Sequence, residues 1–110
     1  MEEKIILKGV PASSGTARGE VRVINSPTEN QKMIKGAIFV APETNPEFVP
    51  AMLKASAIVT DRGGILSHAA IVARELAIPG VVGAGNATKI LKDGMRVIVN
   101  GNRGTVSHEG

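Results

Sequence analysis

The chain has 110 residues, 43% of them apolar and 2% aromatic, with no cysteine and a formal net charge of +3. That length suits one domain, residues 1–110, the apolar share argues against disorder, and the lack of cysteine removes disulfides and thiolate metal sites. Positive and negative side chains are interspersed, and Phe39 and Phe48 are the only aromatic residues, so stacking platforms for single-stranded nucleic acid are missing and no nucleic-acid partner is expected.

The opening "MEEKIILKGV" is too polar for a signal peptide, and every apolar run is far shorter than a membrane span. A cytoplasmic chain with no membrane partner is therefore expected. "KIILKG" and "ARGEVRVI" read as strands separated by a Pro/Ser/Gly turn, "VPASSG". "AIFVA" (37–41) is a continuous apolar run between Gly36 and Pro42, as in an interior strand. In "PETNPEFVPAMLKA", Thr44 or Asn45 can cap a short helix whose first turn accepts Pro46 and Glu47. "SAIVT" (56–60) reads as another buried strand. "HAAIVAREL" (68–76) reads as a helix with Ala69, Val72, Ala73 and Leu76 on its packing stripe.

"IPGVVGA" supplies one more short strand, and "NATKILKDG" one or two helical turns capped by Asn86 and ended by Gly94. "MRVIVN" and "GTVSH" then flank the turn "GNRG" as a hairpin, with His108 in a fraying tail. Many short strands with two or three short helices predict an α/β sandwich built on a mixed sheet.

The segment "TDRGGILSHAAIVAREL" carries the chemistry. A strand leads into Gly63–Gly64, which permit backbone angles and close approaches that side chains forbid. Ser67 is a good N-cap, and His68 falls in the first helical turn, where unpaired backbone N–H groups disfavour a further positive charge and favour an anion. An imidazole beside an anion site can attack phosphorus and carry the phosphoryl group covalently. Thr60 and Ser67 offer hydroxyls to the ring or phosphate, and Arg62 offers a guanidinium to a phosphate oxygen. Taken on physics alone, His68 can equally be a packed or capping residue.

The pattern Thr60, Gly63, Gly64, Ser67, His68, Ala69, Ala70, Ala73 and Arg74 resembles the mobile, swivelling phosphohistidine domain of the PEP-utilising enzymes. That family includes phosphoenolpyruvate synthases, pyruvate phosphate dikinases, enzyme I and the rifampicin phosphotransferases. "LKGVPASSGTARGEVRVI" and "IPGVVG" extend the likeness over nearly the whole chain. The resemblance implies a compact β/β/α sandwich in which His68 is phosphorylated and Gly63, Gly64, Ser67, Thr60 and Arg62 support the loop and its phosphate. It implies a phosphocarrier, incomplete as an enzyme alone, that is either part of a larger chain or a separate subunit. Its partners would be a nucleotide-binding domain and a phosphoenolpyruvate-binding domain. No cofactor is expected in this domain, with Mg²⁺ belonging to the partner domains. Many dikinases have a Thr two residues before the histidine as a target of regulatory phosphorylation; Leu66 stands there, so that control is not expected. The final acceptor stays open among pyruvate, phosphate, protein and antibiotic. The competing reading is a non-catalytic α/β binding module in which His68 caps a helix.

Other signals are weaker. Arg74 lies about 240° around the helix from His68, away from the same phosphate, and Glu75 suits a solvated salt bridge. "VVGAGNATKIL" has Thr88 where a dinucleotide-binding loop needs its third glycine, and no acidic residue follows at the required distance. Two histidines without helical spacing make no zinc site.

Overall fold

Two strands in the middle of the chain are apolar at every position because both of their faces are covered. The computed structural model describes residues 4–109, so Met1–Glu3 and Gly110 of the expected domain lie outside the described residues. In β4 (Ile38–Ala41) and β5 (Ala57–Thr60) all eight residues are buried. Successive side chains alternate between two cores: Ile38, Val40, Ala57 and Val59 point into one, and Phe39, Ala41 and Ile58 into the other. Continuous burial suppresses the polar alternation of a half-exposed strand.

The remaining strands are β1 (Ile5–Lys8), β2 (Val10–Ser13), β3 (Thr16–Val23), β6 (Gly80–Val82), β7 (Arg96–Asn100) and β8 (Thr105–His108). Their spatial order is β1-β8-β7-β3-β4-β5-β6-β2. Strands β3 to β6 run parallel through β4 and β5, whereas β1, β8 and β7 form an antiparallel set. The eight-residue β3 belongs to both groups. Thr16–Glu20 pair antiparallel with β7, and Val21–Val23 pair parallel with β4. The chain thus passes from one sheet to the other along a single strand.

Three helices are present among the described residues: α1 (Val49–Met52), α2 (His68–Leu76) and α3 (Ala87–Ile90), with 3₁₀ turns at Pro27–Lys32 and Pro46–Phe48. One core joins the parallel sheet to α1 and α2 through Phe39, Phe48, Met52, Ile58, Ala69, Ala70 and Ala73. Phe39 and Phe48 meet edge to face, with ring centroids 6.0 Å apart. The other core lies between the sheets and takes Val21, Val81, Val97, Val99 and Val106 together with Ala87 and Leu91. This is the expected β/β/α layering. Ala73 lets α2 approach the sheet closely: a Cβ on Gly80 would lie 3.0 Å from that of Ala73.

Three local expectations need correction, and one element is additional. Val10–Ser13 form a strand against β6 rather than a turn; β2 is the last strand of its sheet, where Pro11's missing N–H is tolerated. The helix after Asn86 ends at Ile90, before Gly94, with Leu91 as its extended C-cap, and the Asn86 side chain makes no capping bond. Pro27–Lys32 wind into a 3₁₀ turn. His108 is exposed but pairs with Val97 in β8 and does not fray.

Candidate functional site

The site begins where β5 ends. Thr60 is fully buried and its hydroxyl donates to the Arg62 carbonyl at 2.8 Å, so it shapes the turn and does not reach outward to a phosphate. The amides of Asp61 and Arg62 donate to the carbonyls of Ala41 and Pro42, fastening the loop to the end of β4. On the other side, Asp61 accepts from the Thr88 amide at 2.9 Å and the Thr88 hydroxyl at 2.6 Å. Asp61 therefore does the work expected of Asn86, holding the first turn of α3. Ala84 and Gly85 donate to the carbonyls of Thr60 and Asp61, closing a second seam.

The two glycines differ. Gly63 has φ +121°, and a Cβ there would sit 2.9 Å from Ser67 Oγ. No ordinary side chain suits that backbone. Gly64 lies outside the left-handed region and a Cβ there would meet nothing within 4 Å. The Ser67 amide donates to the Gly64 carbonyl, completing a turn into α2.

Ser67 is the N-cap, in extended conformation, with its Oγ accepting from the Ala70 amide at 3.4 Å. Its carbonyl accepts from Ile71. His68 is thus the first residue of the helix, its bounds are those the sequence predicts, and Ala69, Ala70, Val72 and Ala73 are buried. The ring is half-buried, and His68 Nδ1 lies 2.7 Å from Thr44 Oγ1. Nε2 has no hydrogen-bond partner among the described residues. If Nδ1 carries the proton and donates to Thr44, the lone pair remains on Nε2.

The sequence offers Thr44 only as a helix cap. Asn45 takes that task, its side chain accepting from the Glu47 amide at 2.9 Å, and Thr44 is left to meet the ring. The two candidates side by side were the signal; which one capped depended on the fold. Glu43 adds an exposed carboxylate that accepts from Arg62 Nε at 3.1 Å, so Arg62 stands beside the site engaged with a neighbour. Arg74 donates to the Ala12 carbonyl at 3.0 Å, tying α2 to β2 on the side away from His68.

The family model of the PEP-utilising enzyme, mobile domain, matches residues 33–104. The chain belongs to that family. The mobile domain is 57% identical over 106 residues to a phosphoenolpyruvate synthase of Aeropyrum pernix, covering 96% of this chain and 13% of that protein. It is 56% identical over 105 residues to the phosphoenolpyruvate synthase of Pyrococcus furiosus, again covering 96% of this chain and 13% of the relative. The chain therefore spans about one-eighth of the length of these relatives. Among solved structures, an Enzyme I solution structure shares 39% identity at a TM-score of 0.60, over 68% of this chain and 31% of that one. The Thermococcus kodakaraensis aconitase X structure overlays with a TM-score of 0.70 at 26% identity, covering 94% and 98% of the two chains. Among the described residues no helix is long and apolar enough to cross a membrane, and no group of three or more His, Cys, Asp or Glu side chains sits together as a metal site requires.

Proposed function

We propose that this mobile domain is the phosphocarrier of a PEP-utilising phosphotransferase and that Nε2 of His68 takes the phosphoryl group. The carrying observation is the ring itself: Nδ1 lies 2.7 Å from the Thr44 hydroxyl, while Nε2 has no hydrogen-bond partner among the described residues. The Nε2 lone pair attacks the phosphorus of the donor, an N–P bond forms, and the P–O bond to the donor breaks with its electrons on the departing oxygen. The Nδ1 proton stays in place, donated to Thr44. Transfer onward reverses these events, with an acceptor oxygen replacing the donor's. The donor and acceptor sites belong to nucleotide-binding and phosphoenolpyruvate-binding partner domains. Mg²⁺ would be supplied in those partner domains, where phosphoryl charge needs neutralising, and no step here passes through it.

The helix-capping alternative is disfavoured because Ser67 already fills the cap. The test is incubation with phosphoenolpyruvate, Mg²⁺ and a phosphoenolpyruvate-binding domain, followed by mass spectrometry for an acid-labile phosphate. Wild type should gain one phosphate and His68→Ala none. No gain in wild type, or equal gain in both, overturns the carrier reading.

A further inference from the structure

Resting on the carrier reading, we infer that Glu43 is a positioning residue that restrains phosphoryl entry at His68 by holding Arg62 until the incoming anion takes its place. Glu43 Oε1 accepts a single hydrogen bond from Arg62 Nε at 3.1 Å, and the two side chains are 66% and 64% exposed. An ion pair so open to water is weak and exchanges readily. The backbones beneath it are fixed. The Arg62 amide donates to the Pro42 carbonyl at 2.9 Å, and the Arg62 carbonyl accepts from the buried Thr60 hydroxyl at 2.8 Å. Glu43 is followed directly by Thr44, whose hydroxyl meets the His68 ring. Two opposite charges on anchored segments and long, exposed side chains thus stand beside the nucleophile.

Their signs matter because a phosphoryl donor arrives as an anion. The Glu43 carboxylate repels it, and Arg62 attracts it only as far as its own charge is left uncancelled. Arg62 uses Nε alone toward Glu43, and its two Nη groups have no hydrogen-bond partner among the described residues. A phosphoryl group offers several charged oxygens to that planar fork, a stronger match than the one-point contact with the carboxylate. The neighbouring charges are committed elsewhere. Asp61 is occupied by the amide and hydroxyl of Thr88, so it does not compete for Arg62. Arg74 is held by the Ala12 carbonyl. Before phosphorylation the Glu43–Arg62 pair is close to neutral. Once His68 is loaded, Arg62 faces the phosphoryl oxygens and the Glu43 carboxylate returns to water.

Phosphoramidate tests this without a partner domain: Nε2 attacks phosphorus, an N–P bond forms, and the donor's own P–N bond breaks as ammonia departs. Initial labelling rates are compared for wild type, Glu43→Gln, Glu43→Asp, Arg62→Gln and the double variant Glu43→Gln, Arg62→Gln. Glu43→Gln should label about two- to fivefold faster than wild type, and Glu43→Asp should fall back toward the wild-type rate. Arg62→Gln should label more slowly, and adding Glu43→Gln to it should change nothing further. The gain in Glu43→Gln should fade at high salt. Nitrogen-15 NMR of the Arg62 Nε–H gives a direct signature. Phosphorylation should move that signal in wild type, and the phosphorylated forms of wild type and Glu43→Gln should coincide. A Glu43→Gln rate equal to wild type overturns the proposal. So does an equal gain with and without Arg62, because the carboxylate would then act on the donor by its charge alone, and so does an Arg62 signal unmoved by phosphorylation. Wild type left unlabelled at His68 instead removes the carrier reading beneath it.

Discussion

Thr44 and His68 are 24 residues apart in sequence and joined by a 2.7 Å hydrogen bond between Oγ1 and Nδ1. The bond links the segment following β4 to the first residue of α2, so the ring's orientation is set by two neighbouring strand ends. The same contact would also place the ring proton on Nδ1 if that nitrogen donates to the hydroxyl.

Thr44→Val keeps the shape and removes the hydroxyl. Phosphorylation of His68 should slow by about 2–13-fold, the range expected when a hydrogen bond worth about 0.5–1.5 kcal/mol is lost. Nitrogen-15 NMR of the imidazole should show the Nδ1–H form losing population, while Thr44→Ser restores it. An unchanged tautomer ratio in Thr44→Val would remove Thr44 from the mechanism.

Gly63→Ala places a methyl group 2.9 Å from Ser67 Oγ at a φ of +121°. The expected cost is about 1–3 kcal/mol in urea unfolding. Hydrogen exchange should accelerate first at Ala70 and Ile71, whose amides depend on Ser67. Wild-type stability would mean the loop tolerates a side chain there.

Asp61→Ala deprives Thr88 of both of its bonds to the carboxylate. Loss of a cap of this kind costs about 0.5–2 kcal/mol. Thr88→Val, which retains the amide bond, should cost less, and the double variant should fall short of the sum of the two. Strict additivity would show that the two side chains are not coupled.

Asp93 supplies a pH signature. Burial alone would raise its pKa, but the hydrogen bond from the Val23 amide and the hydrogen bond and charge of Lys32, with a further contribution from Arg22, together hold it below the ordinary 3.8. The bonds measure 2.7 Å to Val23 N and 2.9 Å to Lys32 Nζ. A carboxyl lowered on folding stabilises the native state above its unfolded value, and that contribution fades as pH falls through the folded value. Asp93→Asn should therefore be less stable than wild type at pH 7, and the gap should shrink below pH 3.8. A gap that is constant down to pH 2 would assign the effect to packing alone.

Much of this architecture is legible in the letters, for local reasons. Helix α2 begins at His68 and ends at Leu76, as its cap and apolar stripe dictate. Both buried strands, β4 and β5, announce themselves as uninterrupted apolar runs. Strand β2 does not, because Pro11 and Ser13 carry turn propensity and only pairing with β6, some 70 residues later, makes them extended. Asp61 was unreadable as a cap for the same reason: the helix it serves starts 26 residues downstream. Within the site, His68 and Ser67 could be read from helix-start chemistry, whereas Thr44 required knowing how β4 and β5 lie side by side.

The dual membership of β3 has a mechanical consequence. Sliding one sheet over the other would tear bonds to β7 or β4, since Thr16–Glu20 and Val21–Val23 of one continuous strand serve the two sheets in turn. Arg74 adds a rivet between α2 and β2. A body braced in this way resists shear between its layers, so any displacement of the His68 loop carries both sheets along with it.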